Sequence, residues 1–287
     1  MVRPIAFFAG AGFVFVLLFS LVTGAIAFIS EPPAKTVEHE FHLHPKHVSF
    51  ASDGPLGKFD RQQLQRGFQV YKEVCSACHS LNQVSFRDLE HIGFTPAEVK
   101  AIAKNWATEV PSINPETGEP ATRKATPADK FPSPYANEVA ARAANNNALP
   151  PDLSLMAKAR HDGGAYVYSL LTGYTDQAGF KNEKGVELLK EFPEATTPTG
   201  LHFNPYFANL NIAMPPPLAA DGQVTYADGT PATIDQMSKD VSAFLIWTAE
   251  PKLENRHALG WTVIGFLLIA TVLAFMAYRN VWAGIKH

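Results

Sequence analysis

Two long apolar runs bracket a polar middle in this chain. Residues 4–29 carry no charged side chain over 26 positions, and residues 258–278 repeat the pattern over 21. A helix rises about 1.5 Å per residue, so each run is long enough for the roughly 30 Å hydrocarbon layer of a bilayer. The first run has two readings. Arg3, the apolar stretch and Ala25-Ile26-Ala27 have the order of a secretory signal and its cleavage site, but a signal core spans about 7–15 residues, so the length favours a retained anchor. The second run, bounded by Arg256 and Arg279, is expected as a transmembrane helix over 258–279. Arg3, Arg279 and Lys286 lie at the outer ends of the two runs, which places those ends in the cytoplasm and exports everything between.

The middle reads as mainly helical. Leu64, Phe68, Tyr71 and Cys75 recur at helical spacing behind Asp60, a natural N-cap. Met237, Val241, Phe244 and Leu245 form a second apolar stripe over 233–247, and residues 152–160 predict a short helix capped by Asp152. Proline-rich residues 111–134 read as a long loop insertion. Residues 30–57 carry His39, His42, His44 and His47 but no turn that would converge them on a metal, so an extended, solvated linker is expected. The expected division is therefore 1–29 apolar segment, 30–57 linker, 58–257 one globular domain, 258–279 membrane helix and 280–287 cytoplasmic tail. Asp88 and Glu90 are expected on a solvated face, although acidic groups can steer a basic partner.

Charge adds little to this picture: the net value is −3, and no basic stripe points to nucleic acid. The cysteines add much more. The chain has two, in Cys75-Ser76-Ala77-Cys78-His79, and Cys-x-x-Cys-His is the attachment sequence of a c-type haem. Two thiols three residues apart on a helical turn face one way, so both can add to vinyl groups on one porphyrin edge, and the next residue presents an imidazole to the iron. A zinc site would need a second ligand pair, which does not follow. A thioredoxin-like dithiol should follow a strand, whereas a helical pattern precedes this motif.

A haem iron built for electron transfer takes a sixth ligand, commonly Met or His. Met1 and Met276 belong to the apolar ends, Met237 to a core stripe and Met156 to a short helix. Met214 precedes Pro215-Pro216-Pro217, which stiffens the backbone and pre-orders a thioether. It is the expected sixth ligand, with His161 and His202 as the imidazole alternatives.

These motifs resemble a known family. The strings 66–80 around the cysteines, 141–154 (Ala-Arg-Ala-Ala-Asn-Asn-Asn-Ala-Leu-Pro-Pro-Asp-Leu-Ser), 166–174, 203–207 and 212–216 resemble, in order, those of cytochrome c1, the haem subunit of the cytochrome bc1 complex. The resemblance implies a cytochrome c-like helical haem domain with long loop insertions and a C-terminal anchor. It implies one covalent haem c on Cys75 and Cys78, iron ligated by His79 and Met214, and a haem propionate hydrogen-bonded by Arg142. It also implies one-electron relay from a Rieske iron–sulfur protein to a soluble or membrane-tethered cytochrome c, beside cytochrome b, with no bond-making chemistry on this chain. A haem subunit of another membrane oxidase or reductase, or a membrane-tethered thiol oxidoreductase, are the alternatives. Asn147 stands where many members have glycine, and cysteines that brace the insertion in some bacterial members are missing. No Arg-rich, Ser-rich leader precedes the first run, so a bacterial inner membrane with the haem domain on the periplasmic side is expected.

Overall fold

The computed structural model describes residues 2–31 and 35–284. Its first helix, α1 (Val2–Ser30), is apolar, exposed from Arg3 onward, and long enough to cross a bilayer. The region expected as an extended linker folds instead. Thr36 accepts from the His39 N–H and caps a short helix, α2 (Val37–Phe41), whose last residue is fully buried. Phe50 is buried too, while the Lys46 N–H donates to Ser169 Oγ and its ammonium to Thr172. Two isolated aromatics in a polar stretch make no periodic pattern, yet each carries enough apolar surface to draw the segment onto the domain. His39, His42, His44 and His47 all remain exposed.

Helix α3 (Arg61–Glu73) starts as its sequence predicts: Asp60 accepts from the N–H groups of Gln62 and Gln63, and Leu64, Phe68 and Tyr71 face inward. It tightens into a single 3₁₀ turn, Cys75–Ala77. Strand β1 (Leu81–Ser85) follows, then a 3₁₀ segment, Phe86–Ile92, opened by a capping box in which Asp88 accepts from the Ser85 N–H. Asp88 is thus engaged in local structure, and Glu90 is exposed. Thr95 and Glu98 form a second capping box at the start of α4 (Pro96–Lys104).

The proline-rich insertion contains ordered structure rather than loop alone. Strands β2 (Val110–Ile113) and β3 (Pro120–Arg123) pair as a hairpin, and β4 (Lys130–Phe131) returns to β1 and buries Phe131. Asn137 caps α5 (Glu138–Ala144). The next helix, α6 (Met156–Ala159), is shorter than expected and Asp152 does not cap it. Its carboxylate instead accepts from Ser80, Asn82 and Ser154. The same acceptor chemistry serves a cap or a loop tie, so the residue type alone does not separate them. Helices α7 (Gly163–Leu171) and α8 (Leu188–Glu191), strands β5 (His202–Phe203) and β6 (Asn211–Ile212), helix α9 (Ile234–Ala249) and the long α10 (Leu253–Trp282) complete the order. α10 begins before residue 258 and continues past 279, so the first part of the expected tail is helical, while residues 285–287, including Lys286, lie outside the described residues.

The main core forms where α3 crosses α9. The helices meet at Gly67, where a β-carbon would stand 2.1 Å from the Asp240 carbonyl oxygen, so only glycine allows this approach. Phe68, Tyr71, Phe86, Trp106, Phe131 and Phe244 pack around the crossing, and Met237 is fully buried in the α9 stripe as its spacing predicts. Asp240, also fully buried, accepts from Arg66 Nε at 2.9 Å and from the amides of Gln63 and Gln236. A second, smaller cluster joins Phe41, Leu188, Phe203 and Leu210.

Candidate functional site

The turn after α3 brings three of the expected residues together. The N–H groups of Cys78 and His79 both donate to the Cys75 carbonyl, at 3.1 and 2.9 Å, which closes the turn. Cys75 and Cys78 are unpaired thiols, each half-buried. Burial pushes the Cys75 thiol up to about 12, so it stays protonated at neutral pH, unlike the low-pKa thiols of redox dithiols. The Tyr71 hydroxyl donates to the His79 carbonyl at 3.1 Å, and the Tyr135 hydroxyl faces Cys78 while accepting from Asn145.

His79 is oriented by a distant segment. Its Nδ1–H donates to the Pro151 carbonyl at 2.8 Å, which fixes the tautomer and leaves Nε2 with its lone pair. Burial, against the pull of Pro151 and Asp152, keeps the imidazole below its ordinary pKa and hence neutral, the form a metal ligand needs. The residues after Pro151 fasten along the motif. Leu153 N–H donates to the Ser80 carbonyl, Asp152 holds Ser80 and Asn82, and Ser154 Oγ accepts from the Gln83 N–H. Neither Pro151 nor Asp152 stands out as a site residue in the local sequence pattern; their role depends on pairing 72 residues away.

Met214 sits half-buried on the segment after β6. Tyr174, just past α7, donates its hydroxyl to the Met214 carbonyl at 3.0 Å, and burial raises the pKa of that phenol, so it remains a donor. A cavity of about 570 Å³ opens beside this loop, lined by Tyr174, Gln177, His202, Phe203 and Pro216. Of the alternative ligands, His202 is half-buried at this cavity, His161 is exposed, Met156 packs against the main core and Met237 lies within it. Arg142 stands on the exposed side of α5 and donates to the Asn147 carbonyl at 3.1 Å, bracing a turn in which Asn146 and Asn147 take left-handed φ of 50° and 63°. Asparagine tolerates that region, which explains how it replaces the glycine expected there.

The donor set fits a haem c. Two thiols open one turn, a neutral imidazole follows with Nδ1 anchored on Pro151, and a methionine stands on a separate proline-stiffened loop whose backbone carbonyl accepts from Tyr174. The profile of the Cytochrome C1 family matches residues 50–285. The chain belongs to the cytochrome c1 family. Cytochrome c1 of Rhodospirillum rubrum is 43% identical over 277 residues, covering 93% of this chain and 97% of that protein. The mitochondrial cytochrome c1 haem protein of Saccharomyces cerevisiae is 44% identical over 247 residues, 86% of this chain and 75% of that one. Cytochrome b/c1 of Bradyrhizobium diazoefficiens is 46% identical over 243 residues, 82% of this chain but 35% of that longer protein. Members of the cytochrome c1 family carry a covalent haem c and serve as the membrane-anchored electron-transfer subunit of the respiratory cytochrome bc1 complex.

Proposed function

We propose that this chain binds haem c through thioethers from Cys75 and Cys78, with His79 and Met214 as the residues that would hold the iron, and relays single electrons from a Rieske iron–sulfur protein to a soluble or membrane-tethered cytochrome c. The hydrogen bond from His79 Nδ1 to Pro151 carries this reading, because it presents one nitrogen for ligation beside both thiols. When bound, the haem supplies a one-electron ferrous/ferric couple. The protein's own work is positional: α3 and its terminal turn hold the sulfurs, Pro151 and Asp152 hold the imidazole side, and Tyr174 holds the methionine loop. Ligation by one methionine and one histidine would favour the ferrous state and raise the potential relative to two imidazoles. Arg142 reaches a propionate through guanidinium N–H groups other than the one given to Asn147, since the group offers five donors.

The same reading places residues 58–257, joined by the packed segment 37–57, as one haem domain on the periplasmic side of a bacterial inner membrane, beside cytochrome b. The decisive experiment is Met214→Leu in the full chain. The haem stays covalently attached on a denaturing gel, while the low-spin methionine signature disappears and the midpoint potential falls. An unchanged spectrum overturns the methionine assignment and points to His202 or His161. Arg142→Gln lowers the potential with haem retained; an unmoved potential assigns Arg142 to its turn alone. Co-purification with oxidase subunits, in place of a Rieske protein and cytochrome b, overturns the electron path.

A further inference from the structure

Residues 55–59 descend along the first two turns of α10 in an antiparallel march of three hydrogen bonds. The Phe59 N–H donates to Glu254 Oε1 at 2.8 Å, His257 Nδ1 donates to the Gly57 carbonyl at 3.3 Å, and Trp261 Nε1 donates to the Pro55 carbonyl at 3.2 Å. Positions 254, 257 and 261 share one face of the helix, and the strap meets it at every second residue. Arg61 completes the upper end with a 2.7 Å bond to Glu254. The strap turns back through a tight bend: Gly57 N–H donates to the Gly54 carbonyl and Lys58 N–H to the Ala51 carbonyl, with Pro55 and Leu56 at the central positions. A β-carbon on Gly57 would stand 2.2 Å from the Ser52 carbonyl oxygen, so the bend closes only with glycine there. At its tip Leu56 is 75% exposed.

The depth of that tip follows from Trp261. The uncharged run of α10 starts at Ala258, so Trp261 lies only about 4.5 Å along the helix inside it. An indole with one polar edge occupies the membrane–water boundary, and Trp261 is half exposed. The tip is bonded to that indole through the Pro55 carbonyl, the apolar Leu56 beside it is exposed, and the exposed cation Lys58 follows.

We propose that the Gly54–Gly57 bend is a membrane-interface anchor, inserting Leu56 at the headgroup–acyl boundary alongside Trp261 and so fixing the tilt of the haem domain against the bilayer. Lipid is the occupant because the tip continues the lipid-facing surface of α10. The inference rests on α10 crossing a bilayer. With both native cysteines held in thioethers, Leu56→Cys gives a single reactive thiol for a nitroxide on the haem-loaded full chain in phosphatidylcholine nanodiscs, with Val263→Cys and Glu116→Cys as separate lipid and water references. The Leu56 label is expected to collide with oxygen several-fold more readily, relative to an aqueous nickel chelate, than the Glu116 label. A ratio equal to that at Glu116, while Val263 reads as lipid, overturns the anchor; an aqueous reading at Val263 instead overturns the membrane span beneath it. The same label in the assembled complex should keep its lipid reading. Protection there from both reagents would assign the tip to a neighbouring subunit and overturn the proposal.

Discussion

The two apolar clusters are built differently. The larger one is centred where two long helices cross: α3 and α9 supply ten of its 27 buried residues, at helical spacing, and the other elements pack around that crossing. The smaller one gathers Phe41, Leu188, Phe203 and Leu210 from α2, α8, β5 and the loop before β6, pieces of two to five residues. The first holds its charge inside, with Asp240 buried under Arg66. The second holds its ion pair outside, Lys184 to Glu40 at 3.3 Å with the lysine largely in solvent. A core made by periodic helices tolerates this buried ion pair because fixed neighbours supply the Asp240 carboxylate with further donors, the amides of Gln63 and Gln236. A core stitched from short segments depends on each tie separately.

The largest expected effect lies in the first region. Asp240→Ala leaves Arg66 short of its buried partner and strands the amides of Gln63 and Gln236. A loss of about 3–5 kcal/mol is expected, read as a lower urea midpoint of the Soret transition in the haem-loaded full chain in detergent. A midpoint unchanged within error would show that Asp228, the second partner of Arg66, carries the pair alone. In the second region, Phe41→Ala removes a fully buried ring that meets Phe180 and Phe192. The cost is about 3 kcal/mol, the low end for a buried phenylalanine, because short surface segments relax around the cavity. The comparison breaks if that cost appears in the global transition; it should appear instead as faster hydrogen exchange confined to residues 37–41, 180–192 and 203–212.

The same contrast governs what the sequence discloses. α3, its Asp60 cap and the α9 stripe are legible because a 3.6-residue period repeats long enough to stand above noise, and Cys-x-x-Cys-His is legible because its chemistry is local. The packing of residues 37–57 is not, since Phe41 and Phe50 sit singly among polar neighbours. Within the candidate site, Pro151 and Tyr174 act through one carbonyl and one hydroxyl, each offered across a long loop to a partner 72 or 40 residues away. No spacing rule encodes such a pairing. Asp152 shows the same limit from the other side, because a cap and a tie between loops present the same carboxylate.

Asn182 gives a smaller and sharper test. Its side chain donates to the Glu40 carbonyl and accepts from the N–H groups of Lys184 and Val186, so one residue pins α2 to the turn before α8. Asn182→Ala should cost about 2 kcal/mol, since backbone groups near the surface regain only part of their hydration. Exchange should quicken at 37–41 and 182–188 together; quickening at one stretch alone would mean that the two do not open as a unit.

The smallest effect is electrostatic and separates the two regions by acid alone. The hydrogen bond and charge of Lys184 hold the Glu40 carboxyl below its ordinary value near 4.5. A folded-state pKa that is depressed contributes stability above the unfolded value and loses it as pH falls through the folded one. Acidification below about pH 4.5 should therefore loosen the second cluster, seen as rising exchange at 37–41 while amides of α3 and α9 stay protected. Molar salt at neutral pH should produce a weaker version of the same opening, because an exposed pair is screened. If α3 and α9 loosen first in acid, the division between a rigid core and a stitched one fails.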